Sequence, residues 1–111
     1  MHYLDYGTSV VSKVGKASMH FQVPREWLSH HNAEAGQEFY CTGLPSGELE
    51  YTQKPTHWCK PVKLVVRSGR YAALTIPVEI ARPRGIAEGS KVSVVENTKT
   101  GALVVSRVEE R

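Results

Sequence analysis

The sequence predicts a mainly β fold with short helices, built from two tandem copies of one hairpin, helix and hairpin unit. Three observations predict it. Glycines and prolines recur at a near-constant spacing along the 111 residues. Strand-length runs rich in β-branched residues flank them. Each unit also holds one proline-led segment with helix character, and in the second unit Pro83 and Gly85 stop it within two turns.

The repeat rests on residues whose backbone geometry is restricted. Gly15 is followed, after a strand-length run, by Val23-Pro24-Arg25-Glu26, and Gly69 by Ile76-Pro77-Val78-Glu79. Gly36 lies twelve residues past Pro24, and Gly89 twelve past Pro77. Gly47-Glu48-Leu49 then matches Gly101-Ala102-Leu103. The offset is 53 around the prolines and 54 around the outer glycines, so length changes sit in turns.

In the second unit, Val62 to Arg67 reads as a strand, Ser68-Gly69-Arg70 as a tight turn and Tyr71 to Ile76 as the return strand. Pro77 suits the first helical position, where its missing N–H has no helix partner to lose. Glu79 complements the helix dipole in the first turn. Ile86-Ala87-Glu88-Gly89 leads out, and Lys91 to Glu96 and Ala102 to Val108 form a second hairpin around Asn97-Thr98-Lys99-Thr100-Gly101.

The first unit repeats the plan: Ser9 to Val14, a turn at Gly15, Met19 to Val23, a helix from Pro24 to about His31, then Glu38 to Thr42 and Glu48 to Gln53. Trp27 and Leu28 on that helix can reach a core. Between the units runs Lys54-Pro55-Thr56-His57-Trp58-Cys59-Lys60-Pro61, whose two prolines keep it extended. The organisation expected is one domain over residues 1–111, with a first repeat at 9–53, a linker at 54–61 and a second repeat at 62–108.

Composition narrows the function classes. The hydrophobic fraction of 41% suits a globular domain. No apolar run approaches the roughly 18 residues of a membrane span. The N-terminus lacks a basic segment followed by an apolar one, so no secretory signal and a cytoplasmic location are expected. Cys41 reads as a packed thiol and Cys59 as a linker thiol, unbridged in a reducing compartment. The net charge of +3 is uneven: residues 1–55 carry four Lys/Arg against six Asp/Glu, and residues 56–111 ten against five. A basic half points toward a polyanionic partner.

The second unit resembles the SpoVT/AbrB-type swapped-hairpin family of bacterial and archaeal DNA-binding proteins. The resemblance lies in Gly69-Arg70, in Leu74-Thr75-Ile76-Pro77-Val78-Glu79-Ile80, and in Arg84-Gly85-Ile86-Ala87-Glu88-Gly89-Ser90-Lys91-Val92. The first unit matches more loosely through Gly15-Lys16, Val23-Pro24-Arg25-Glu26 and Ala33-Glu34-Ala35-Gly36. In that family, units from two chains interleave their hairpins into one barrel. With both units on one chain, the resemblance implies a swapped-hairpin (double-split) β-barrel as a single-chain pseudo-dimer, whose strict two-fold symmetry and further self-association are open. Physics agrees, since about 50 residues make a marginal core and about 110 can fold alone.

The resemblance also implies a double-stranded DNA-binding transcription regulator, met by DNA at basic loops and short helices. Carried onto this chain, the DNA-binding candidates are Lys13, Lys16 and Arg25 in the first unit, and Arg67, Arg70, Arg82 and Arg84 in the second. Independently, Lys13 and Lys16 flank the Gly15 turn and Arg67 and Arg70 flank Gly69, where hairpin tips display cations outward. The second unit is expected to dominate, with the two turns well apart in an elongated barrel. The alternative for any one of these residues is an ordinary solvated charge, and for Arg70 a pairing with Glu79 or Glu96. Lys60, Lys63 and Lys99 read as solubilising charges.

Other classes are weighed against this. His30 and His31 are adjacent and diverge on a helix, and no pair has zinc spacing, so neither metal nor cofactor is expected. No nucleophile turn, phosphate-cradling loop or convergent acidic pair supports an enzyme. Trp58 offers a ring for stacking on a base or sugar, although a linker tryptophan more often covers a core edge. The rivals are an antitoxin, which binds a toxin and its own promoter, and a protein-interaction module. Only Glu109-Glu110-Arg111 follow the last strand, too short a tail to wrap a toxin, so no toxin partner is expected.

Overall fold

The computed structural model describes residues 3–14, 18–55, 58–67 and 71–108. The chain runs β1 (Tyr3–Val10), β2 (Ser12–Val14), β3 (Ser18–Val23), α1 (Arg25–His30), β4 (Glu38–Gly43) and β5 (Leu49–Thr52). It continues β6 (Lys60–Arg67), β7 (Tyr71–Ile76), α2 (Val78–Ala81), a 3-10 turn at Arg82–Arg84, β8 (Lys91–Asn97) and β9 (Leu103–Arg107). The fold is mainly β with two short helices.

All nine strands join one antiparallel sheet in the order β1-β8-β9-β5-β4-β6-β7-β3-β2. The first and last strands of that order are consecutive in the chain and meet at Val11. A nearly closed, barrel-like sheet results, with the Gln22 N–H donating to Ser9 Oγ across the seam at 3.2 Å. The barrel is not elongated, as its extents are 34 × 33 × 29 Å.

Four of the eight strand pairings are local hairpins: β2·β3, β4·β5, β6·β7 and β8·β9. The other four, β1·β8, β3·β7, β4·β6 and β5·β9, each join one half of the chain to the other. The crossings match in atomic detail. The Gly36 N–H donates to the Leu64 carbonyl at 2.8 Å, and the Leu64 N–H to that of Gln37 at 2.9 Å. Fifty-three residues apart in each case, the Gly89 N–H donates to the Val11 carbonyl at 2.8 Å, and the Val11 N–H to that of Ser90 at 2.9 Å.

Alternate strand residues fill the interior, including Phe21, Leu49, Tyr51, Leu64, Leu74 and Leu103, all 2% exposed or less. Phe21 and Tyr51 pack at 5.3 Å between ring centroids, and Trp27 and Phe39 at the same distance. Each such side chain contributes about 1.5–3 kcal/mol by leaving water. Trp27 is fully buried and Leu28 packs at the core's edge, as the helix pattern predicts.

Four expectations need correction. The first strand does not start at Ser9: residues 3–8 add a strand along β8, a partner too remote in sequence to be read locally. That strand tolerates a register shift between Asp5 and Thr8, where Gly7 takes φ +89° and its N–H donates to Asp5 Oδ1 at 2.7 Å. Second, Pro24 and Pro77 precede their helices instead of opening them. Their ψ values are 135° and 128°, and their carbonyls accept the first helical bonds.

Third, the linker ends early. Lys60 and Pro61 already pair with Cys41 and Tyr40, and the proline costs no ladder bond because β7 joins β6 only from Leu64. Fourth, Trp58 is 83% exposed and covers no core edge. Cys41 is buried, Cys59 is half-buried, and both are free thiols.

Candidate nucleic-acid interface

The strand order brings the two first hairpins together. β6, β7, β3 and β2 are contiguous in the sheet, joined through β3 and β7. Because those two strands are antiparallel, with Met19 opposite Ile76 and Val23 opposite Ala72, β3 and β7 begin at opposite ends of their pairing. A partner spanning both hairpins would lie along the four strands.

The charge on this part of the chain is of one sign. Residues 9–25 hold Lys13, Lys16 and Arg25, and residues 60–78 hold Lys60, Lys63, Arg67 and Arg70, with no Asp or Glu in either segment. The β4–β5 hairpin is the reverse: residues 35–53 hold Glu38, Glu48 and Glu50 and no Lys or Arg. A split between the chain's halves misses this, because the two carboxylate-free stretches come one from each half. Counting charge hairpin by hairpin would have found it, and would have added Lys63 to the candidates.

The individual candidates are placed as follows. Lys13 lies on β2 opposite Met19, and its side chain is exposed. Arg25 opens α1 on the surface, within a cleft also lined by Tyr6, Gln22 and Glu26. The Arg67 backbone ends β6 opposite Tyr71, with its side chain outside the description, and Lys16 and Arg70 lie outside the described residues. Lys63 is exposed on β6 opposite Glu38 of β4. Lys60 pairs with Glu79, whose carboxyl it holds below the usual range.

Arg82 is exposed on the 3-10 turn, whereas Arg84 is turned inward. Its Nη1 donates to the Ile80 carbonyl and its Nη2 to that of Leu44, both at 2.9 Å. The guanidinium fills the space over Gly43, where a Cβ would stand 2.5 Å from Nη2. Arg84 therefore fastens α2 onto the β4–β5 turn. His31, 53 residues earlier, occupies the matching place at the end of α1. It lies over Gly101 and faces Glu96 Oε2 at 3.4 Å. Trp27 Nε1 donates to the Gly101 carbonyl at 3.0 Å. Each helix thus rests on the second hairpin of the other half.

Glu96 is buried, and Tyr6 donates to its Oε1 at 2.6 Å. Burial and this bond raise the Tyr6 phenol above its ordinary pKa. With Tyr6 and His31 against it, Glu96 is committed within the fold. No helix among the described residues is long and apolar enough to cross a membrane. No protein-family model matches the chain, and no curated protein or solved structure matches it.

Proposed function

We propose that this chain binds double-stranded DNA as a transcription regulator of the AbrB type, its two tandem repeats forming a swapped-hairpin barrel that acts as a single-chain pseudo-dimer. One observation carries the reading: four contiguous strands and their turns hold six cations and no carboxylate, with Arg25 following at the start of α1. Such a surface neutralises phosphates and releases counterions, the main source of nonspecific affinity for duplexes. The crossed pairings between the halves support the pseudo-dimer, since each half lacks neighbours that only the other supplies. Within this reading Lys13, Lys16, Arg25, Lys63, Arg67 and Arg70 meet the phosphates. Arg82 adds an exposed cation at the helix end.

The test is a gel-shift titration on the duplex upstream of the protein's own gene, repeated at two salt concentrations. If about four to seven phosphates are neutralised, log K falls against log salt with a slope of roughly −4 to −6. Binding that ignores salt, or no binding to any duplex at low salt, overturns the proposal.

A further inference from the structure

The groove beside Trp58 is unused by the reading above. It has a volume of about 360 Å³ and is lined by Gly43, Trp58, Lys60, Glu79 and Arg84 among others. The indole is 83% exposed, whereas the chain's other tryptophan is fully buried. Its flat apolar face therefore contributes nothing to the core. The charges around it are fixed. Lys60 and Glu79 neutralise one another, and two carbonyl bonds hold the Arg84 guanidinium in place, leaving the groove net positive.

We infer that this groove binds an unpaired nucleobase, stacked on Trp58, with its phosphate toward Lys60 and Arg84. The inference rests on the nucleic-acid reading proposed above and adds a second site to it. A nucleotide combines the π face and the negative charge that the groove complements. A purely apolar ligand would leave the net positive charge of the groove unmatched, and a free anion would leave the indole in water. The site is also continuous with the cationic strands, because β6 starts at Lys60, two residues from Trp58. A paired base inside a duplex presents only its edge, so the base must be unstacked.

The experiment is tryptophan fluorescence of the full chain against three probes: a single-stranded oligonucleotide, the same sequence fully paired, and a duplex carrying one unpaired base. Trp27, being buried, supplies an unresponsive background. The single strand is expected to quench the exposed emission, and Trp58→Ala to weaken single-strand affinity about tenfold, the scale of one base–aromatic stack. Trp58→Phe keeps a ring and most of that affinity, and neither variant alters binding of the paired duplex. A response to the bulged duplex as well identifies extruded bases as a source, and a response to the single strand alone assigns the site to open strands.

Unchanged single-strand affinity in Trp58→Ala overturns the inference, as does equal quenching by the paired duplex. In either case, duplex binding by the intact chain leaves the proposed function standing. Single-strand binding through Trp58 without any duplex binding has the opposite meaning: the groove holds and the duplex reading fails.

Discussion

Phe21 of β3 lies directly opposite Leu74 of β7, and these two residues are also 53 positions apart, so each is the other's counterpart in the repeat. Glu50 and Val104 stand in the same relation across β5 and β9, at the offset of 54. Counterparts meet each other only where an approximate two-fold axis passes, and the axis here runs through both pairs. Neither half contains a complete sheet. The full chain is therefore expected to unfold in one cooperative transition as a monomer. A fragment of residues 62–111 should be unfolded or should dimerise. Sedimentation combined with circular dichroism checks this, and a folded, monomeric half would refute the interdependence.

Tyr6 predicts an alkaline weakness. Its protonated hydroxyl bonds to buried Glu96, and burial and that bond hold its folded pKa above the ordinary value of about 10. A raised pKa contributes stability that is intact below the unfolded value and is lost as pH rises through the folded one. Burial raises Tyr51 in the same way and pushes the Cys41 thiol up to about 11. Melting temperature should thus fall steeply above about pH 9–10. Tyr6→Phe should start lower at neutral pH, by about 1–3 kcal/mol for the carboxylate left without its donor. Its further loss at high pH should be smaller than in the parent chain. Parallel melting curves for the two proteins would remove Tyr6 from the account.

The two thiols should separate in reactivity. Thiolate is the reactive form, and burial of Cys41 both shields the sulfur and disfavours its ionisation. Cys59 is half-buried outside the core. In the native protein a thiol reagent should label one cysteine quickly, and Cys59→Ser should abolish that phase. Cys41 should react only as the chain opens. Rapid labelling of both thiols in the folded state would contradict the packing around Cys41.

Much of this architecture is legible in sequence because it depends on turns. Gly36 and Gly89, Pro24 and Pro77, and Trp27 mark places where backbone or packing restricts the residue type, and local reading finds them. What is missed depends on long-range partners. Tyr3 to Thr8 form a strand only because β8 offers an edge about 90 residues away. Arg84 looks like a surface cation until Leu44 and Gly43, some 40 residues earlier, are seen beneath it. The cationic face is hidden for the same reason, since it is assembled from two hairpins that meet only through β3 and β7.

The cationic strands should answer mutation as one surface. Lys63→Ala and Lys13→Ala should each weaken duplex binding about equally for all sequences and reduce the salt slope by about 1. Arg70→Ala should cost more than Lys16→Ala, about 1–3 kcal/mol if the arginine reads a base, because its planar fork makes two bonds where lysine makes a point contact. Lys99→Ala, in the β8–β9 turn, serves as the control and should change neither quantity. Gel-shift titrations across salt check all five proteins. An effect of Lys99→Ala equal to that of Lys63→Ala would dissolve the distinction between the hairpins.

Arg84 and Arg82 give the sharpest contrast, because they sit two residues apart and differ in what they touch. Arg82 is exposed, and Arg82→Ala should leave the melting temperature within the range of ordinary surface changes, about 0.5 kcal/mol either way. Arg84 donates to the Ile80 and Leu44 carbonyls across the junction between α2 and the β4–β5 turn. Removing it leaves both acceptors without that donor, at about 1–3 kcal/mol for each one that stays buried. Arg84→Lys should not restore the loss, since one ammonium cannot reproduce a fork that reaches two carbonyls on different elements. Gly43→Ala tests the same joint from below. The added methyl would enter the space of the guanidinium and should destabilise the chain in the same direction. If Arg84 acts through the fold, duplex affinity measured well below the melting transition stays at the parent value in Arg84→Ala. Lost duplex affinity with unchanged stability would return Arg84 to the duplex-contacting set, beside Arg82 at the end of α2.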